Sequence, residues 1–159
     1  MLNALVGRKI AKVSGTPGKT RMLNAFRVQL GTALYLLDLP GYGYARASQT
    51  ERAKFRALIR HTLDRPRLAG VVWLLDIRRE PSTDDRAIHK VFVGAGTPVL
   101  VALTKGDTLS RGRRIERSRA LGGAVELPAD QVIVTSARTR DGVPELRDAI
   151  AALVSALAA

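Results

Sequence analysis

The sequence contains no cysteine, which excludes disulfides and thiolate metal sites. Its two histidines, His61 and His89, are too few to build a typical zinc site on their own. Aromatic residues make up only 4% of the chain, so base-stacking platforms for single-stranded nucleic acid are not expected. No apolar run approaches the roughly 20 residues that span a bilayer. The first thirteen residues do not form a signal peptide, because Arg8 and Lys9 follow the short apolar stretch instead of preceding it. These absences give the expectation of a cytoplasmic protein with no membrane partner. Acidic residues are also scarce: 14 against 26 Lys and Arg, a net charge of +12. Such a surplus attracts a polyanion through counterion release. An arginine-rich composition kept for solubility would look the same. With so few aromatics, contact with RNA is expected to be mostly to phosphates.

What is present fits one domain over residues 1–159, with 46% hydrophobic residues to fill a core. There is no internal repeat and no low-complexity linker. Short apolar runs alternate with helical patterns, as in an α/β sheet. Residues 23–30 and 33–37 flank Gly31-Thr32 and predict a hairpin. Residues 71–75, 99–103 and 132–134 are continuous apolar runs, the mark of parallel strands covered on both faces. Ser48-x-x-Glu51 and Ser82-x-x-Asp85 are capping boxes. The first opens a helix with Phe55, Leu58, Ile59 and Leu63 inward; the second opens one with Ile88, Val91 and Phe92, stopping near Gly94. Residues 110–121 predict a very basic helix ending at Gly122. Pro144 starts a last helix with Leu146, Ile150, Leu153, Val154 and Leu157 at helical spacing. Trp73 is expected in the core, and His61 and His89 at the surface or in packing.

Four short motifs carry chemistry. The segment Gly15-Thr-Pro-Gly18-Lys19-Thr20 looks like a Walker A loop, but that loop needs four residues between its glycines and here there are two. Asp38-Leu39-Pro40-Gly41 closes the 33–37 strand. An acid at the carboxyl end of a parallel-type strand points into the ligand crevice, where it can help hold Mg²⁺. A glycine three residues on lets a backbone N–H approach a phosphate. Thr104-Lys105-Gly106-Asp107 follows another strand. Its acid can accept two hydrogen bonds from a guanine edge, which adenine cannot donate, and the Lys stem can cover the base. Thr135-Ser136-Ala137 ends a third strand with small residues that let a base edge meet backbone N–H groups. Each motif alone is also what an ordinary turn or cap looks like. Their order along the chain, each of the last three after an apolar run, points to a Ras-like guanine-nucleotide fold.

The chain resembles the EngB (YihA/YsxC-type) bacterial GTP-binding proteins. The match rests on Thr16-Pro-Gly-Lys-Thr20, Asp38-Leu-Pro-Gly-Tyr-Gly-Tyr44, Leu75-Asp-Ile-Arg78, Thr104-Lys-Gly-Asp107 and Thr135-Ser-Ala137, and extends from Met1 to about Leu157. The resemblance implies a P-loop GTPase fold, a mostly parallel sheet with helices on both faces. It implies GTP or GDP as ligand, with Mg²⁺. Gly18, Lys19, Thr20, Arg21 and Met22 would form the first switch, with Thr20 ligating Mg²⁺. Asp38 would hold Mg²⁺ through water, and Leu39, Pro40 and Gly41 would face the γ-phosphate. Asp107, supported by Thr104, Lys105 and Gly106, would read guanine, and Thr135, Ser136 and Ala137 would border the base. No residue is assigned as catalytic. The family's role implies the large ribosomal subunit or its rRNA as partner, an effect on division and septation, no DNA, and a monomer when complete.

Two departures from the family pattern follow. Tyr42 stands where many GTPases place a water-orienting Gln; a phenol cannot both donate to and accept from the attacking water as an amide does. Slow intrinsic hydrolysis is expected. Second, residues 1–5 match the first helix just after the family's G-x-x-x-x-G-K-S loop, so that loop and its preceding strand are expected to lie outside this sequence, through a start placed too late. That strand would sit between the 33–37 and 71–75 strands. Its absence predicts unpaired apolar edges, poor solubility and weak GTP binding. GTPase activity thus belongs to the complete family, and the alternative for this chain is a non-catalytic basic rRNA-binding protein with a degenerate nucleotide site.

Overall fold

The computed structural model describes residues 1–11, 23–41 and 48–158. In order these form α1 (Leu2–Val6), β1 (Asn24–Leu30), β2 (Thr32–Asp38), α2 (Gln49–Leu63), β3 (Val71–Asp76), α3 (Thr83–Gly94), β4 (Val99–Thr104), α4 (Arg111–Ala124), β5 (Val132–Val134) and α5 (Val143–Ala158). Strands β3, β4 and β5 form a parallel sheet in the order β3-β4-β5. Strands β1 and β2 form a separate antiparallel hairpin, from Asn24 opposite Asp38 to Leu30 opposite Thr32. The three apolar runs are thus parallel strands, as expected. Asp38 is not: it ends a strand whose described pairing is antiparallel.

Alternation along β4 divides the core into two layers. Val99, Val101 and Leu103 face one layer with Trp73 and Leu75 of β3, Ile59 of α2, Ile88 and Phe92 of α3, and Leu121 of α4. Leu100 and Ala102 face the other with Leu5 of α1, Val28 and Leu30 of β1, Ile133 of β5, and Leu146 and Ile150 of α5. The hairpin and the parallel sheet therefore share the α1/α5 layer, although among the described residues they exchange no ladder hydrogen bonds. Each large side chain fully buried here contributes about 1.5–3 kcal/mol. Trp73 stacks on His89 with centroids 5.7 Å apart and meets Phe92 edge-on at the same distance. His89 is thus a packing residue, and His61 lies exposed.

The helix starts follow the capping chemistry. The Ser48 hydroxyl accepts from Glu51 N at 3.2 Å while the Glu51 carboxylate accepts from Ser48 N at 2.7 Å. Ser82 and Asp85 repeat the arrangement at 3.1 and 2.7 Å. Such caps satisfy donors that the first helical turn leaves orphaned. Helix α4 departs from expectation by running through Gly122 and Gly123 to Ala124. Two glycines cost about 1 kcal/mol each in a helix interior. Burial of Leu121 and Val125 on either side offsets this, and Gly122 is buried close to Val132. At the start of α5, Gly142 has φ 65°, and a Cβ there would lie 2.0 Å from the Val134 carbonyl oxygen. Only glycine lets α5 begin this close to the end of β5.

Candidate functional site

The carboxyl ends of β4 and β5 meet in one compact constellation. Thr104 Oγ1 donates to the Leu75 carbonyl at 3.1 Å and ties β4 to β3. Lys105 turns the chain with φ 63° into a single 3₁₀ turn over Gly106–Thr108. Gly106 N–H donates to the Thr135 carbonyl at 2.9 Å. A Cβ on Gly106 would lie 2.7 Å from Val134 Cγ1 and 3.3 Å from the Thr135 oxygen, so a side chain there would force the two loops apart. Thr135 N–H in turn donates to the Leu103 carbonyl at 2.8 Å. The two motifs, 29 residues apart in sequence, are thereby fixed against each other.

Asp107 lies at the centre. Its Oδ1 accepts from Ser136 Oγ at 2.6 Å and its Oδ2 accepts from Arg138 Nε at 2.7 Å. The Asp107 side chain is 10% exposed and Ser136 is fully buried. Ser136 Oγ also accepts from the backbone N–H groups of Arg138 and Thr139, at 3.2 and 3.1 Å. The serine hydroxyl, then the arginine, hold the Asp107 carboxyl below its ordinary pKa. It stays an acceptor at neutral pH. An anionic acceptor pair suits a ligand edge with two adjacent N–H donors, which guanine has and adenine lacks.

Beside it stands a second charged cluster. Asp76, at the end of β3, accepts from Arg78 Nε at 2.9 Å, from Arg78 Nη2 at 2.7 Å and from Lys105 Nζ at 3.0 Å. Arg78 above all, with help from Lys105, holds Asp76 well below the usual carboxylate range against the opposing effect of burial. The Lys105 charge is thus anchored on Asp76, and its stem is drawn along the end of the sheet. Asp76 and Arg78 stand in the Leu75-Asp-Ile-Arg78 motif without a role that the sequence discloses, and Arg138 lies outside every motif. The only signal for Arg138 was a cation directly after Thr-Ser-Ala.

Of the remaining predicted residues, 38–41 are described. Asp38 ends β2 and is half-buried. Burial raises its pKa, partly opposed by the nearby α-amino group of Met1. A half-buried carboxylate with no side-chain cation among the described contacts is an oxygen donor of the kind a hard cation such as Mg²⁺ takes. Leu39 packs on the α2/α3 layer, and Gly41 is exposed. Gly18, Lys19, Thr20, Arg21 and Met22 lie outside the described residues, as do Tyr42 and Tyr44. A cleft of about 210 Å³ beside β3, lined by Leu74, Glu80, Ser82 and Leu121 among others, does not include Asp107 or Ser136.

A family model described as 50S ribosome-binding GTPase matches residues 1–105. A probable GTP-binding protein EngB of Syntrophomonas wolfei is 40% identical over 156 residues, covering 97% of this chain and 79% of that protein. Its counterpart in Gemmatimonas aurantiaca is 43% identical, covering 98% and 76%. Among solved structures, a probable GTP-binding protein engB superposes with a TM-score of 0.75 at 20% identity, covering 97% of this chain and 90% of that one. Era in complex with MgGDPNP and nucleotides 1506–1542 of 16S ribosomal RNA superposes at 0.73 and 21% identity, covering 94% and 50%. At such identities these two structures speak for the fold, which is that of the P-loop GTPases. On the sequence matches, the chain belongs to the EngB family of GTP-binding proteins.

Proposed function

We propose that this protein is a guanine-nucleotide switch acting in large ribosomal subunit assembly, with a consequent link to cell division and septation. The observation that carries the nucleotide reading is Asp107. Its carboxylate is ionised, mostly covered, and oriented by a fully buried serine at the end of a parallel sheet. Thr104, Lys105, Gly106 and Asp107, with Thr135, Ser136 and Ala137, receive the base. Asp38 with Leu39, Pro40 and Gly41 receives Mg²⁺, through water, and the γ-phosphate. Gly18, Lys19, Thr20, Arg21 and Met22 form the responsive segment, with Thr20 as the second metal donor. Bound Mg²⁺ would supply charge neutralisation at the phosphates; the protein's own part is to hold the oxygens in place. Hydrolysis of GTP to GDP and phosphate is slow without a partner, because Tyr42 replaces an amide that would orient water.

The ribosomal part of the proposal draws support from the +12 charge and from the description of the matched family as 50S ribosome-binding. The protein would act as a monomer in the cytoplasm, on rRNA rather than DNA or membrane. No helix among the described residues is long and apolar enough to cross a membrane. Comparative titration with GDP and ADP tests the switch reading. GDP should bind selectively, and Asp107→Ala should abolish the preference. Co-sedimentation with 50S subunits should be stronger with a non-hydrolysable GTP analogue than with GDP, and should weaken with salt. A second reading, a basic rRNA-binding protein without catalysis, is favoured by the separation of the described strands into two sheets. It predicts salt-sensitive RNA binding that GDP does not alter, and equal, weak binding of GDP and ADP.

A further inference from the structure

Arg138 makes its one described side-chain bond to the carboxylate assigned above to the base. A guanidinium carries N–H donors in a rigid plane. A guanine edge carries two N–H donors in a plane as well. The Arg138 Nε–H approaches Asp107 Oδ2 to 2.7 Å, the oxygen that Ser136 leaves free. The backbone makes this placement local. The N–H of Arg138 bonds to the same Ser136 hydroxyl that donates to Asp107, so the arginine starts two residues from the serine and needs only a short reach. The Arg138 side chain is 77% exposed, whereas that of Asp107 is 10% exposed.

We infer that Arg138 is an internal stand-in for the base, occupying Asp107 when no nucleotide is bound and yielding when guanine arrives. This rests on the guanine reading of Asp107. The latch serves two purposes. It supplies a directly bonded cation to a mostly covered carboxylate whose other described side-chain bond comes from the neutral Ser136 hydroxyl. It also sets a threshold, because a ligand must displace the pair before it can use the acceptor. Exposed ion pairs are weak and screened by salt, so the latch delays and tunes binding without preventing it.

The test is a double-mutant cycle read by equilibrium titration. In the otherwise native protein, Arg138→Gln should tighten GDP binding by about 2- to 5-fold, the scale of an exposed pair, mainly through faster association. The gain should shrink as salt rises. In an Asp107→Asn background, which is expected to take XDP in place of GDP, Arg138→Gln should bring no gain for XDP, because the amide holds no charge for the arginine to meet. Arg138→Lys should fall between the native protein and Arg138→Gln, since it keeps the charge and loses the plane. Circular dichroism should show all variants folded, given the exposure of Arg138. If Arg138→Gln leaves GDP affinity unchanged or weakens it while GDP remains preferred over ADP, the latch is wrong and the nucleotide reading stands. An equal gain in both backgrounds also overturns the latch, since the arginine would then act without Asp107. If the native protein does not distinguish GDP from ADP and Asp107→Asn does not favour XDP, the nucleotide reading fails and the latch falls with it.

Discussion

The two strand systems of this molecule are built to different standards. In β4, no residue from Val99 to Leu103 is more than 8% exposed, since the strand is paired on both edges and covered on both faces. In β2, no residue is fully buried, and Tyr35 is 66% exposed. That strand is paired with β1 alone among the described residues and leans on one apolar layer. The groups that would read a base hang from the end of β4 and the start of the loop after β5. Asp38, which would meet metal and phosphate, hangs from β2. The base end is therefore preorganised by packing and hydrogen bonds in the unliganded protein. The phosphate end, as far as it is described, has a positioned carboxylate but much less structure behind it. A nucleotide would find Asp107 already positioned, with Arg138 to displace from it, and would itself contribute order around Asp38.

The sharpest way to break this contrast is to remove matched side chains from the two strands. Leu103→Ala empties a fully buried position at the sheet centre and should cost about 2–5 kcal/mol. Leu36→Ala removes a half-buried side chain from β2 and should cost about 1–2 kcal/mol. Urea denaturation measures both, and equal costs would mean that the hairpin is as well supported as the parallel sheet. The next largest effect concerns recognition. Asp107→Asn exchanges an anionic acceptor pair for an acceptor and a donor, so it should weaken GDP by about 100-fold, the worth of charge-assisted bonds lost to a mismatched edge. It should favour XDP, whose carbonyl can accept from the new amide. Retained GDP affinity in that variant would remove Asp107 from the base site.

A third prediction separates packing from contact. Gly106→Ala leaves every ligand-facing group in place but sets a methyl 2.7 Å from Val134 Cγ1 and 3.3 Å from the Thr135 oxygen. Overpacking of this kind costs about 1–3 kcal/mol. It should also weaken GDP binding, because the Gly106–Thr135 bond that aligns Asp107 with Ser136 would lengthen. Native stability and affinity in this variant would show that the two loops are looser than their distances imply.

How much of this was legible beforehand depends on whether the governing interaction is local. The strands of the parallel sheet were readable because burial on both faces demands continuous apolar residues. Both capping boxes were readable because their partners lie three residues apart. The end of α4 was not, since its two glycines resemble a stop signal and only the tertiary burial of Leu121 and Val125 overrides it. The partner of β2 was readable as well, from the Gly31-Thr32 turn between two apolar runs, and β1 pairs with it antiparallel. At the site, the two motifs lie in neighbouring loops, where Gly106 N–H bonds to Thr135 and the Ser136 hydroxyl to Asp107. They did not disclose that Arg138 holds Asp107, or that Asp76 joins Arg78 to Lys105. Those pairs span 31 and 29 residues for Asp107–Arg138 and Asp76–Lys105, and charge alone does not choose among so many arginines.

The smallest predicted effect probes the less structured end, and its sign is informative. Burial raises the Asp38 pKa above its unfolded value. The ionised carboxylate therefore weighs against the folded state once the pH exceeds the raised pKa. That penalty is relieved as pH falls through the folded and then the unfolded value, near 3.9. Asp38→Asn should accordingly raise the thermal midpoint of the ligand-free protein at neutral pH, by a margin that closes toward pH 3. The same substitution should remove any Mg²⁺ dependence of nucleotide binding, because an amide is a poor ligand for a hard cation. Differential scanning fluorimetry across pH, with and without Mg²⁺, reads both effects. A lower midpoint at neutral pH would mean that Asp38 holds a stabilising partner and belongs to the scaffold. A higher midpoint with lost Mg²⁺ response would mean that stability is given up at this position to keep a charge where a metal is to sit.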